Sequence, residues 1–296
     1  MGGAAQCAGG RPRRPGLDRL APMSAASIAA PRIVWREGRV SQGQRQLAEE
    51  TPVALVYNAS TYAIMLATPA DLEDFAIGFS LTEGVIGAAS EIVSLELVWS
   101  DLGVEARMWL DEARAASLAE RRRRIAGPTG CGLCGVESLE AALRPLAPAP
   151  DTGARLGASQ ILAAMRALTA AQPLNAITHA VHAAGLVAPD GGLVAAREDV
   201  GRHNALDKLI GALARQGLSA GGGAVVLTSR VSVEMVQKTA ALGAAFLIAV
   251  SAPTALAQRT AEAAGITLVG VTRADGFEVF THPERLDLSP APAAVR

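Results

Sequence analysis

The sequence predicts an α/β protein in two regions, a smaller α+β module followed by a larger sheet covered by helices. From about Gly127 to Leu288 helix-like and strand-like patterns alternate, which argues for a largely parallel sheet with helices packed on it. Over residues 31–126, paired strand patterns flank one strong helix pattern. Half of the 296 residues are hydrophobic, enough for one large or two modest cores.

Taken in order, residues 1–30 mix Gly, Pro, Arg and Ala without an apolar run and read as a disordered tail with no targeting signal. Met23 is an alternative start, in which case Cys7 is lost. "TPVALVYN" and "TYAIMLAT" read as strands. "TPADLEDFAIGFSLTEG" reads as a helix, with Thr68 as its cap, Pro69 at its first position and acids in its first turn. "EIVSLELVWS" and "GVEARMWLDE" form a further strand pair. This region holds no cluster of catalytic residue types.

The second region, 127–288, opens on "TGCGLCGVESLE". A helix over Ser159–Ala171 leads to the strand "THAVHAAGLV", the Gly-rich turn "PDGG" and the strand "LVAARED", a hairpin. Three helix–strand pairs follow: "RHNALDKLIGALARQG" with "AVVLTS", "SVEMVQKTAALG" with "FLIAVS", and "PTALAQRTAEAAG" with "ITLVGVT". The uncharged stretch Thr239–Gln258 divides into a helix end, a buried strand and a helix start, because Gly243, Ser251 and Pro253 interrupt it and it is mostly Ala. Residues 289–296 are a tail.

Ligands of open α/β sheets bind beyond the carboxyl ends of the strands. Those ends carry Arg197-Glu198-Asp199, Thr228-Ser229-Arg230, Ser251 and Thr272-Arg273. Arginine at three of four ends points to an anionic, phosphate-bearing ligand. The densest polar cluster is "REDVGRHNALDK", and Lys208 and Lys238 are the only lysines in a chain that otherwise uses arginine. A lysine kept against that bias suggests a need for its compact ammonium. The formal net charge of −1 predicts no bulk attraction to nucleic acid or to an anionic membrane.

Only three cysteines occur, so the chain is not a disulfide scaffold, and a reducing cytosol is its expected home. Cys131 and Cys134 form a single CxxC with three physical uses: half of a zinc site, a redox dithiol, or a nucleophilic thiolate with a neighbour. Zinc would need His179 and His182, but three residues apart in a strand they point to opposite faces. No zinc is therefore expected. A redox pair has the right spacing but follows "ERRRRIAGPTG" rather than a strand opening a compact thioredoxin-like unit. A nucleophilic thiolate suits the glycines at 130, 132 and 135 and the nearby run Arg121–Arg124, which would raise the local positive potential. Such a thiolate suits sulfur transfer as a persulfide, though spacing alone leaves redox exchange open.

Several landmarks in order, "EETPVALVYN", "TPADLEDFAIGFSLTEG", "TGCGLCGVESLE", "REDVGRHNALDKLIG", "EMVQKTA", "SAPTALA" and "THPERL", closely resemble the formate dehydrogenase accessory sulfurtransferase family (FdhD/NarQ), from about Glu49 to Leu286. The resemblance implies a cytidine-deaminase-like three-layer fold for the second region and a homodimer in the cytoplasm. It implies a sulfurtransferase that takes sulfur from a cysteine desulfurase onto Cys131, with Cys134 as partner. The sulfur then goes to the molybdenum or tungsten bis(molybdopterin guanine dinucleotide) cofactor before its insertion into the catalytic subunit of formate dehydrogenase. The family's cofactor segment matches Val271, Thr272, Arg273, Ala274, Asp275 and Gly276, where this chain reads "VTRADG" rather than the common "FVRG" type. On that reading Arg197, Arg230 and Arg273 offset phosphate charge, and His203 and Asn204 contact the nucleotide or its phosphates.

Overall fold

The structure is a computed structural model that describes residues 25–125, 146–150 and 152–288. It opens with a feature the sequence reading missed. Strands β1 (Ser27–Arg36) and β2 (Arg39–Ala48) pair along their whole length as a two-stranded antiparallel ribbon. The expected tail to residue 30 is thus corrected: order begins by Ser27. The ribbon went unread because its alternating pattern is mostly polar and carries Pro31.

The first region is a four-stranded sheet in the order β4-β3-β6-β5. Its strands are β3 (Thr51–Tyr57), β4 (Ser60–Ala67), β5 (Ile92–Ser100) and β6 (Gly103–Leu110). Alternate residues Val53, Leu55, Tyr57, Val104, Ala106 and Met108 face helix α1 (Leu72–Thr82), whose Phe75 and Phe79 complete this core. The expected cap of that helix is corrected. The residue before its first turn is Asp71, in the left-handed region at φ 52°, and it makes no side-chain cap bond. Thr68 is held elsewhere, for a reason given below.

Helix α2 (Glu112–Ile125) leads out of this region. The second region begins with β7 (Leu156–Gly157), helix α3 (Ala158–Ala170) and the short helix α4 (Pro173–Thr178). A six-stranded sheet follows in the order β13-β12-β11-β10-β8-β9. Its strands are β8 (His182–Val187), β9 (Leu193–Asp199), β10 (Ala224–Leu227), β11 (Phe246–Ala249), β12 (Thr267–Gly270) and β13 (Glu278–Val279). β10, β11 and β12 are parallel, while β8 and β13 are antiparallel to their neighbours. The sheet is therefore more mixed than the alternation alone suggests, because the tight turn between β8 and β9 reverses the chain.

Strand residues alternate between two cores. Val225, Leu227 and Leu247 face helices α5 (Arg202–Arg215), α6 (Val233–Ala241) and α7 (Ala255–Ala263). Val226, Phe246 and Ile248 face α3. Helices on both faces of one sheet make the three-layer, cytidine-deaminase-like α/β arrangement implied by the resemblance. Strand β14 (Leu286–Asp287) pairs with β7 at the far side. Thr239–Gln258 divides into the end of α6, all of β11 and the start of α7. Among the described residues no helix is long and apolar enough to cross a membrane.

The two regions meet where α1 crosses α5. The crossing passes through two glycines: a Cβ on Gly78 would lie 1.7 Å from the Asp207 carbonyl oxygen, and one on Gly211 1.8 Å from that of Asp74. Both lysines of the chain lie in this seam. Lys208 Nζ sits 2.7 Å from Asp199 Oδ2, both side chains fully buried, and donates to the Thr68 carbonyl at 2.9 Å. Lys238 Nζ donates to both carboxylate oxygens of Asp207 at 2.7 and 2.9 Å, and Thr82 Oγ1 donates to Asp207 Oδ1 at 2.7 Å. Burial pushes the Lys208 ammonium below its ordinary range and the Asp207 carboxyl above its own, each opposed by its partner's charge.

Candidate functional site at the carboxyl edge of the sheet

β9, β10, β11 and β12 run in one direction, so Asp199, Leu227, Ala249 and Gly270 end on one edge. Asp199 organises the first turn there. Its Oδ1 accepts from Gly201 N at 2.7 Å and from Asn204 Nδ2 at 3.0 Å, while its Oδ2 accepts from Thr68 N at 2.9 Å. Thr68 Oγ1 in turn accepts from Val200 N at 3.1 Å. Thr68 therefore ties the first region to the site rather than capping its own helix.

The turn ends in Arg202 and His203 at the start of α5. Arg202 Nε is buried without a hydrogen-bond partner. His203 Nε2 lies 3.8 Å from Glu234 Oε2 on α6. Burial, with the adjacent Arg202 charge, pushes the His203 imidazole down to about 4 against the opposing pull of Glu234, so it is neutral at pH 7. His182, at the start of β8, is also lowered by burial and by Arg202.

On the β12 side, Val271 holds φ 50°, a left-handed conformation costly for a β-branched residue and of the kind that concentrates at functional sites. It places Thr272 so that its N–H meets the Ala249 carbonyl at 3.2 Å while its hydroxyl is buried without a partner. Arg273 folds its guanidinium onto the Val250 and Thr272 carbonyls, and its N–H reaches the Gly276 carbonyl at 2.7 Å. That bond closes a turn with Ala274 and Asp275 exposed at its tip. The loops after β10 and β11 are tied by the bridge Val231–Pro253 and by Thr254 N donating to the Val231 carbonyl at 2.9 Å.

The edge thus offers two buried donors without partners, Arg202 Nε and Thr272 Oγ1, beside a neutral histidine and the exposed Arg230. That donor set fits an anionic, phosphate-bearing ligand. Two expected contacts are corrected. Arg197 is engaged by Asp74, with Nε donating to Oδ2 at 2.8 Å, and it points to the seam rather than the edge. Asn204 is buried, and its amide is held by the Leu66 carbonyl at 2.8 Å and by Asp199. Arg202 is the residue sequence reasoning passed over. Its position one step after Gly201, at the first turn of a helix that follows a strand end, was the available signal.

The histidine geometry is also corrected. His179 follows α4 with φ 55°, outside strand β8, so strand alternation does not relate it to His182. Among the described residues no group of three or more His, Cys, Asp or Glu is placed to hold a metal ion. Cys131 and Cys134 lie outside the described residues.

Known proteins agree with this layout. The family model of the FdhD/NarQ family matches residues 48–287. A sulfur carrier protein FdhD of Agrobacterium fabrum is 53% identical over 257 residues, 87% of this chain and 95% of that protein. One from Brucella abortus is 54% identical over 254 residues, 86% of this chain and 94% of that one. A crystal structure from Desulfotalea psychrophila, of a protein provisionally named a formate dehydrogenase accessory protein, superposes with a TM-score of 0.72 at 29% identity, covering 89% of this chain and all of the other. The chain, with its CxxC segment inside the matched span and its polar sheet edge, belongs to the FdhD/NarQ family.

Proposed function

We propose that this protein carries sulfur for formate dehydrogenase in the cytoplasm, acting as a homodimeric sulfurtransferase. The observation that carries the reading is the kinship with proteins named sulfur carrier protein FdhD across a span that includes both cysteines. In the first step the Cys131 thiolate attacks the outer sulfur of a cysteine desulfurase persulfide. A new S–S bond forms at Cys131, the old one breaks, and the desulfurase leaves as its thiolate with the electron pair. In the second step the Cys134 thiolate attacks Cys131 Sγ. A Cys131–Cys134 disulfide forms, and the outer sulfur departs as sulfide with two electrons to become a ligand of the metal. A thiol reductant restores the dithiol.

The acceptor in this reading is the molybdenum or tungsten bis(molybdopterin guanine dinucleotide) cofactor, destined for the catalytic subunit of formate dehydrogenase. Arg202, Thr272 and the Val271–Gly276 turn would meet its phosphates, with Arg230 and Arg273 adding positive charge and His203 a neutral contact. Buried donors without partners at this edge support the assignment.

In cells lacking their own copy of this protein, Cys131→Ala abolishes formate dehydrogenase activity while the circular dichroism of the purified variant matches the parent. Cys134→Ala retains partial activity that added thiol raises. Full activity in Cys131→Ala contradicts the proposal, and equal, complete loss in both variants favours a thiol–disulfide oxidoreductase instead.

A further inference from the structure

The β1–β2 ribbon has two different faces. Perfect cross-strand register puts Pro31, Ile33, Trp35 and Val40 on one side and Arg32, Arg36, Arg39 and Arg45 on the other. The apolar side is bare: Ile33, Trp35 and Val40 are 72%, 71% and 69% exposed. On the basic side Arg45 donates to the Thr178 carbonyl at 3.0 Å, so at its base the ribbon turns its arginines toward its own chain and its apolar side away. A lone two-stranded ribbon is marginal in water, so an outward apolar side of this size calls for a covering surface. At the tip Arg36 and Arg39 stand directly opposite each other, a like-charge pair that is unfavourable until an acidic group joins it.

A surface that answers both needs lies on the same chain. The side of the four-stranded sheet turned away from α1 leaves Ile64, Leu66 and Trp109 more than half exposed. Strand β4 is its outer edge and carries no charged residue. The charges are complementary: residues 27–48 hold four arginines and one glutamate, whereas residues 49–111 hold eleven acidic residues and Arg107 alone. Within one chain neither surface covers the other, since both are exposed.

We infer that the ribbon of one protomer lays its Pro31–Ile33–Trp35–Val40 side on the β4–β3–β6 sheet of a second copy, with Arg36 and Arg39 reaching that copy's acidic surface. The arrangement is reciprocal about a two-fold axis, so each protomer gives an arm and receives one, doubling the buried area. The ribbon lies almost wholly outside the span of the family model, which begins at residue 48. The inference rests on the homodimer proposed above and names its interface.

The test places Trp35→p-benzoylphenylalanine in the full chain, irradiates it, and maps cross-links by mass spectrometry. Sedimentation then compares the parent with Trp35→Asp and with Arg36→Glu/Arg39→Glu. Inter-chain cross-links to residues 60–66 or 104–109, and at least a tenfold weaker dimer in both variants, are expected. A parent that sediments as a monomer overturns the homodimer itself. A dimer whose cross-links fall elsewhere, or that ignores the substitutions, overturns the exchanged arms and leaves the homodimer standing.

Discussion

His203 illustrates how position, rather than residue type, sets chemistry at this edge. Its imidazole is lowered to about 4 by burial beside Arg202. In the unfolded chain it titrates near the ordinary value of about 6.5. As pH falls below that value the unfolded chain takes up a proton that the fold refuses. Stability present above pH 6.5 is therefore lost progressively as pH approaches 4, by at most about 3 kcal/mol from this group, and less after solvent screening. Denaturant midpoints of the parent and of His203→Gln, measured from pH 7 to pH 4, should diverge, with the parent losing more. Parallel profiles would place the imidazole in an ordinary solvated setting. His203 was a candidate from the sequence, whereas Arg202 beside it, the buried donor without a partner, was marked only by its place at the first turn after Gly201.

At the scale of elements, the seam between α1 and α5 explains two residues whose rarity was visible but whose purpose was not. Lys208 and Lys238 are the only lysines, and both ammonium groups are buried against carboxylates at 2.7 Å. Lys208→Met leaves Asp199 charged, buried and short of its counter-ion, which should cost about 3–5 kcal/mol. Lys208→Met/Asp199→Asn should recover part of that loss in urea unfolding, because the amide removes the buried charge yet keeps an oxygen to accept from the N–H groups that Asp199 holds. A single variant as stable as the parent would mean the pair is not buried as described. The strand and helix patterns of the second region were legible because hydrophobic periodicity reports burial directly. Thr68 was misread because its cap-like spacing is a local signal, whereas Asp199 and Lys208 compete for it from 131 and 140 residues away. Arg197 and Asn204 were misassigned for the same reason: strand ends look alike in sequence whether they face a ligand or a neighbouring helix. The ribbon β1–β2 was hidden because its alternation is mostly polar and Pro31 interrupts it.

For the whole molecule, a rigid frame is joined in one chain to the CxxC segment that the proposed function uses. The frame is the pair of sheets locked through Gly78, Gly211 and the two buried ion pairs, and it fixes the carboxyl edge where Arg202 and Thr272 wait with buried donors. The segment carrying Cys131 and Cys134 narrows the chemistry in the sequence, since a CxxC among glycines has few uses. It was the least legible as geometry, because glycine accepts many backbone conformations and fixes none. Sulfur transfer through Cys131 is the central step of the proposed function, and intact mass spectrometry tests it most directly. The purified protein is incubated with a cysteine desulfurase and free cysteine, then measured with and without reductant. A gain of one sulfur that reductant removes, mapped to Cys131 and absent from Cys131→Ala, is the predicted result. A protein that stays unmodified, or that takes sulfur equally well without Cys131, would contradict it.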